Sequence, residues 1–233
     1  MSPLVIAFGS DHPPLPGTLY PAKPAELKAA AVLFVFAHGA GAGQSSPFMQ
    51  RYASLLADRG IDVVTFDFPY LAAARKLPDR PPILERAFLA AMTAAARACP
   101  AARVLVVGGK SLGGRMATHL AAAPQRWPGP PALAGVVTFG YPLCPPGPRG
   151  GDRVSHLQRL GVPALIVQGT RDSFGGPDEV RAAVGDVPGL EILPVATGDH
   201  SLTVLKSARV PQAEVDRGVM AHVAAWIHRR AAR

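Results

Sequence analysis

The sequence predicts an α/β protein, with a mostly parallel central sheet and helices packed on both of its faces. Two observations carry this expectation. Short apolar runs rich in valine and isoleucine recur along the 233 residues with little polar alternation, the pattern of strands covered on both sides. Segments with helical patterning lie between them, and strand-helix alternation implies parallel pairing with right-handed crossovers. A chain of this length can bury a sizeable core, and one domain spanning residues 1–233 is expected.

Residues 1–30 carry Pro13, Pro14, Pro16, Pro21 and Pro24, which are unsuited to a central strand, so an edge or loop segment is expected there. Residues 31–37 (AVLFVFA) form the first buried run and stop at the glycine-rich loop His38-Gly39-Ala40-Gly41-Ala42-Gly43. A helix should follow, with Ser46 as cap, Pro47 in its first turn, and Phe48, Met49, Tyr52, Leu55 and Leu56 facing inward; Gly60 ends it. Ile61–Phe66 is the next strand and leads into Asp67-Phe68-Pro69-Tyr70. A helix over about residues 82–98 stops before Pro100.

Residues 104–107 (VLVV) then run into Gly109-Lys110-Ser111-Leu112-Gly113, with helix-forming residues from Arg115 onward. Strand, tight turn and helix around a G-x-S-x-G sequence is the context of a nucleophile elbow, in which a strained serine holds its hydroxyl out above the sheet edge. Glycine suits positions 109 and 113, where a side chain would meet neighbouring backbone. A phosphate-binding loop would need glycine where Val104 stands, so the Lys-Ser pair does not point to a nucleotide. Further strands are expected at residues 133–139, 164–167 and Leu190–Val195, a short helix around His156, Leu157 and Leu160, and a closing amphipathic helix over 215–232.

Ligand chemistry in a parallel sheet belongs at the carboxyl ends of its strands. Those ends carry the His38 loop, Ser111, Asp172 and His200, and the order Ser, Asp, His is that of α/β-hydrolases. Four patterns sharpen the likeness: H-G-A-G-A at positions 38–42, G-K-S-L-G-G-R at 109–115, Q-G-x-x-D at 168–172 and G-D-H-S at 198–201. On these residues the chain resembles the α/β-hydrolases, and within them the small members related to dienelactone hydrolase. The resemblance covers about residues 30–230. It implies an α/β-hydrolase fold with Ser111, Asp172 and His200 as a catalytic triad, and leaves the substrate open.

The chemistry asks for each part. A serine hydroxyl attacks once an imidazole takes its proton, and a carboxylate orients that imidazole and stabilises the cation formed. The oxyanion donors expected are the backbone N–H groups of Leu112 and Ala40, with Gly41 the alternative to Ala40. Gly41, Tyr141 and Lys110 are the expected substrate contacts, and Lys110, Arg115 and Arg171 could favour a substrate with a carboxylate or phosphate. Asp199 competes with Asp172 as the acid, although sequence neighbours rarely face one another. His38 and Asp67 are expected to support loops, Cys144 to line or pack, and His12, His119, His156, His222 and His228 to be surface or packed residues.

The formal net charge of +8 is scattered, its densest group being Arg229-Arg230 with Arg233, and no aromatic-basic interleaving supports a nucleic-acid partner. The longest apolar run, residues 29–37, is too short to span a membrane, and the N-terminus lacks the basic start of a secretory signal. Two cysteines form no disulfide framework, so a cytoplasmic location is expected. No metal-ligand spacing and no cofactor fingerprint appears. The segment between the strands at 133–139 and 164–167 is short, so little or no lid and an open pocket for small or extended acyl groups are expected. The reading is thus a serine hydrolase of an ester or thioester, as monomer or homodimer, with a non-catalytic interaction module on the same fold as the alternative.

Overall fold

A computed structural model describes residues 1–9, 13–23, 31–144 and 152–231. His12, Pro145, Pro146, Gly147 and the terminal Ala232 and Arg233 lie outside the described residues. One eight-stranded sheet organises the molecule, in the order β1-β2-β4-β3-β5-β6-β7-β8. Strands β3 (Val32–Ala37), β4 (Ile61–Phe66), β5 (Val104–Lys110), β6 (Ala132–Phe139), β7 (Ala164–Gly169) and β8 (Leu190–Val195) run parallel. Strands β1 (Ser2–Ile6) and β2 (Leu15–Tyr20) extend the sheet in antiparallel fashion beside β4.

Of the segment expected at an edge or in a loop, β1 forms the edge of the sheet, while β2 lies inside it between β1 and β4. Pro16 sits within β2 between two neighbours because pairing with β4 begins only at Gly17, while the Pro16 carbonyl remains an acceptor for the Asp67 N–H at 3.0 Å. Strand β5 also runs on through Gly108 and Gly109 to Lys110, beyond the apolar run that marks it in the sequence.

Alternation along β3 explains why all six of its residues are buried. Val32, Phe34 and Phe36 face one layer, with Tyr52 and Met49 of α1 (Pro47–Ala57) and Trp226, Val223 and Met220 of α6 (Gln212–Ala231). Leu33, Val35 and Ala37 face the other, with Phe88 and Met92 of α3 (Pro81–Ala98) and Met116 and Leu120 of α4 (Leu112–Ala121). A two-sided core leaves no polar position on this strand, and burial of each large apolar side chain stabilises the fold by about 1.5–3 kcal/mol relative to exposure. A third cluster joins Ile166 of β7 to Val180 and Val184 of α5 (Pro177–Val184).

A four-residue helix, α2 (Pro69–Ala72), follows β4, and the segment expected to be helical around His156 is a single 3-10 turn at Leu157–Arg159. Ser46 occupies the position before α1 without a side-chain capping bond, so Pro47 alone marks that start. The order β4-β3-β5-β6 places the topological switch between β3 and β5, and the loops after these two strands meet there.

Candidate active site

Strand β5 enters a reversal so tight that Ser111, between it and α4, has φ 49° and ψ −113°, outside the regions that L residues prefer. Contacts hold it there. The Ser111 N–H donates to the Phe139 carbonyl at 2.9 Å, and a Cβ at Gly109 would lie 2.4 Å from the Gly113 carbonyl carbon. One on Gly113 would lie 2.5 Å from the carbonyl oxygens of both Ala37 and His38. Helix α4 therefore starts at Leu112, three residues earlier than its helix-forming composition suggests, and presses against the end of β3.

His200 and Asp172 reach this serine from the loops after β8 and β7. The Ser111 hydroxyl stands 2.9 Å from His200 Nε2, and His200 Nδ1 stands 2.8 Å from Asp172 Oδ2 and 3.0 Å from Oδ1. With the ring proton on Nδ1, the hydroxyl donates to Nε2 and Nδ1–H donates to the carboxylate. The Asp172 side chain is fully buried and the imidazole is 19% exposed. Asp172 also accepts from the Phe174 N–H at 2.8 Å and from Gln168 Nε2 at 2.9 Å. A buried carboxylate is tolerated only when its lone pairs are met in this way. The Asp199 carboxylate turns away and accepts from the backbone N–H groups of Ser201 and Thr203 at 2.8 and 2.9 Å, the role of a turn residue.

The loop after β3 forms the opposite wall. His38 is fully buried; its Nε2 accepts from the Phe68 N–H at 3.0 Å, and its Nδ1 donates to the Gly39 carbonyl at 2.7 Å. Burial pulls its pKa below the usual imidazole value, against the pull of the Gly39 bond and of Asp67. Asp67 accepts from the Gln44 N–H at 2.8 Å, and the Tyr70 hydroxyl donates to the Ala40 carbonyl at 2.9 Å. Gly39, Ala40 and Gly41 thus line, with Ser111, His200 and Lys110, one cleft of about 430 Å3. Leu112 opens α4, where the first N–H groups of a helix have no intrahelical acceptor. A larger hollow of about 570 Å3 between β1 and α3 shares none of these residues.

The structure corrects one expected contact. Tyr141 does not line the cleft: it is fully buried among Leu157 and Ile166, its hydroxyl donates to the Arg153 carbonyl at 2.6 Å, and burial pushes its pKa up to about 12. The backbone after β6 turns at Gly140, φ 63°, which carries the tyrosine side chain beneath the sheet edge. Cys144, expected to line or pack, is instead exposed and is not part of the cleft lining, and Cys99 is buried. Among the described residues no group of histidine, cysteine and acidic side chains could hold a metal ion, and no helix is long and apolar enough to cross a membrane. Between β6 and β7 the described residues add only the 3-10 turn, and among the described residues no lid covers the cleft.

Four contributors were not visible as such in the sequence. Gln168 fastens the acid loop, accepting from the Tyr141 N–H at 2.7 Å and donating to the Gly175 carbonyl at 2.6 Å besides its bond to Asp172. Its place in Q-G-x-x-D is the only sequence signal. Phe174 stacks on the His200 ring with centroids 4.1 Å apart; Tyr70 tethers the Ala40 loop; Phe48 walls the cleft. Phe174 and Tyr70 carry no local pattern, because their partners come from other loops, and Phe48 reads in the sequence as part of the inward face of α1 although it is only partly buried and lines the cleft.

Comparison with known proteins adds three findings. A family described as an alpha/beta hydrolase domain matches residues 30–228. No curated protein matches the chain. Among solved structures, an alpha-beta serine hydrolase homologue from Coxiella burnetii superposes with a TM-score of 0.70 at 16% identity, over 98% of this chain and 96% of the other. A dienelactone hydrolase from Anabaena variabilis gives 0.68 at 17% identity, over 97% and 95%. A serine hydrolase without lid from Xanthomonas campestris gives 0.68 at 18%, over 97% and 94%. At these identities the likeness is one of fold.

Proposed function

Because the chain belongs to the alpha/beta hydrolase domain family, we propose that it is a serine hydrolase that cleaves an ester or thioester of a small or extended acyl group through an acyl-enzyme. Ser111 Oγ attacks the scissile carbonyl carbon while His200 Nε2 takes its proton, and Asp172 stabilises the imidazolium. The tetrahedral oxyanion is met by the N–H groups of Leu112 and Ala40, each donor contributing about 3 kcal/mol to the barrier reduction. Collapse expels the alcohol or thiol, which receives the proton from His200. Water then attacks the acyl-enzyme by the same route in reverse and releases the acid.

The observation that carries this reading is the unbroken hydroxyl-imidazole-carboxylate chain, at 2.9 and 2.8 Å, opening on the cleft. Among the described residues no element encloses the cleft, which supports small or extended acyl groups over long chains. The narrower likeness to dienelactone hydrolase relatives rests on the four sequence patterns. A fluorophosphonate probe tests the mechanism, because only an activated serine reacts. Stoichiometric labelling at Ser111, followed by turnover on a panel of p-nitrophenyl and CoA esters, is the expected result. A folded protein that resists the probe and turns over none of the panel would be a non-catalytic module instead.

A further inference from the structure

Three cations stand beside the candidate catalytic residues in the sequence, and the structure separates them. Arg171 is exposed, and neither it nor Arg115 lines the cleft. Lys110 does line it, and among the described residues it is the only lining group with a permanent charge; His200 is the other titratable group, and the rest of the lining is small, apolar or hydroxyl-bearing. Among the described residues no acidic side chain lines this cleft.

Lys110 ends β5 and directly precedes the nucleophile, so their Cα atoms are about 3.8 Å apart. Its ammonium donates to the Ser201 hydroxyl at 2.8 Å and lies 5.0 Å from the centroid of the Phe48 ring. It is therefore bracketed between the residue after the candidate base and the cleft wall, one residue from each reacting group. Ser201 engages one of its three N–H donors. Among the described residues no carboxylate comes within ion-pair distance of it. Asp199 and Asp172 attract it from further off, but the first accepts backbone N–H groups and the second holds His200. Burial lowers its pKa below the ordinary lysine value, which marks a cation whose lost hydration is incompletely replaced.

A half-buried ammonium that, among the described residues, has no ion partner and lines a cleft with no acid is complementary to an anion, and attraction there is stronger than at an open surface. We propose that Lys110 is the specificity-determining residue of this site, selecting esters that carry an anionic group a few bonds from the scissile carbonyl; this rests on the hydrolase reading above. The competing role for Lys110 is a brace that ties the elbow to the His200 loop through Ser201.

Steady-state kinetics on mono-p-nitrophenyl glutarate and p-nitrophenyl pentanoate, which have acyl chains of equal carbon number, separate these roles. The wild type should favour the anionic ester by about tenfold or more in kcat/KM, chiefly through KM. Added NaCl should shrink that ratio. Lys110→Met should bring it close to one, and Lys110→Arg, which keeps the charge, should restore much of it. Equal losses on both esters in Lys110→Met would identify a brace and overturn the proposal. So would a wild-type ratio near or below one, with the hydrolase reading left standing. If neither ester turns over yet fluorophosphonate still labels Ser111, protection from labelling by glutarate but not by pentanamide sustains the proposal, and equal protection overturns it. No turnover and no labelling would remove the hydrolase reading and this one together.

Discussion

Ser111 holds a backbone conformation that costs about 1–3 kcal/mol, and the surrounding contacts must hold that strain in place. On the reading proposed here, Ser111→Ala leaves the fold intact and lowers kcat by about three to six orders of magnitude. Unchanged turnover with an unchanged circular dichroism spectrum would count against the assignment. Tyr70 acts at one remove, through the 2.9 Å bond from its hydroxyl to the Ala40 carbonyl. Tyr70→Phe should loosen the loop that presents the Ala40 N–H, and kcat should fall by roughly tenfold with little change in KM, less than the loss of a donor itself. Gln168 is fully buried, and its amide ties the Tyr141 N–H and carbonyl after β6 to the Asp172 carboxylate and the Gly175 carbonyl of the acid loop. Gln168→Leu strands those groups, so urea denaturation should show a loss of about 1–3 kcal/mol, together with a drop in kcat as Asp172 loses a partner.

At the scale of elements, the elbow works because α4 packs against the ends of β3 and β5 with no side chain between them. Gly113 lets the helix approach to where an added Cβ would stand 2.5 Å from two carbonyl oxygens. Backbone atoms on both sides leave no flexible neighbour to yield. Gly113→Ala should therefore displace α4, costing more than about 2 kcal/mol in denaturant unfolding and removing fluorophosphonate labelling even where folded protein survives. Full labelling in that variant would mean that the elbow tolerates a wider turn than its contacts indicate. In helix α1, of the five residues expected to face inward, Met49, Tyr52 and Leu56 are buried on the helical repeat, whereas Phe48 and Leu55 are only partly buried against the same core.

For the whole molecule, acid sensitivity follows from buried neutral imidazoles. His38 is lowered by burial, and His156 is lowered to about 4 by burial together with the positive groups His119 and Arg115. In the unfolded chain both protonate near the ordinary value of about 6.5. Between roughly pH 6.5 and 4 the unfolded state therefore binds protons that the native state does not, and stability falls as the pH is lowered through that window. The urea midpoint should be level above about pH 7 and decline below pH 6.5, and a flat profile to pH 4.5 would contradict the buried, neutral state of both rings. Charge repulsion in a chain of formal net charge +8 acts in the same direction as acid is added.

Much of this was decided by residue order alone. The runs at β3, β5 and β7 are largely apolar without alternation because both faces are covered, and a local composition records that burial directly, whereas β8 at the sheet edge carries Glu191 and Pro194 and buries only Val195. G-x-S-x-G between such a run and a helix marks the elbow for the same reason: strain, glycine and strand all lie within a few consecutive residues. What the tertiary structure decided depends on partners remote in the chain. It drew β2 into the sheet despite Pro16, turned Tyr141 inward at Gly140, set Gln168 and Phe174 around Asp172 and His200, and chose Lys110 over Arg115 and Arg171 as the cation in the cleft. A side chain's direction at a strand end is fixed by which loops pack beside it, and that packing is a property of the folded whole.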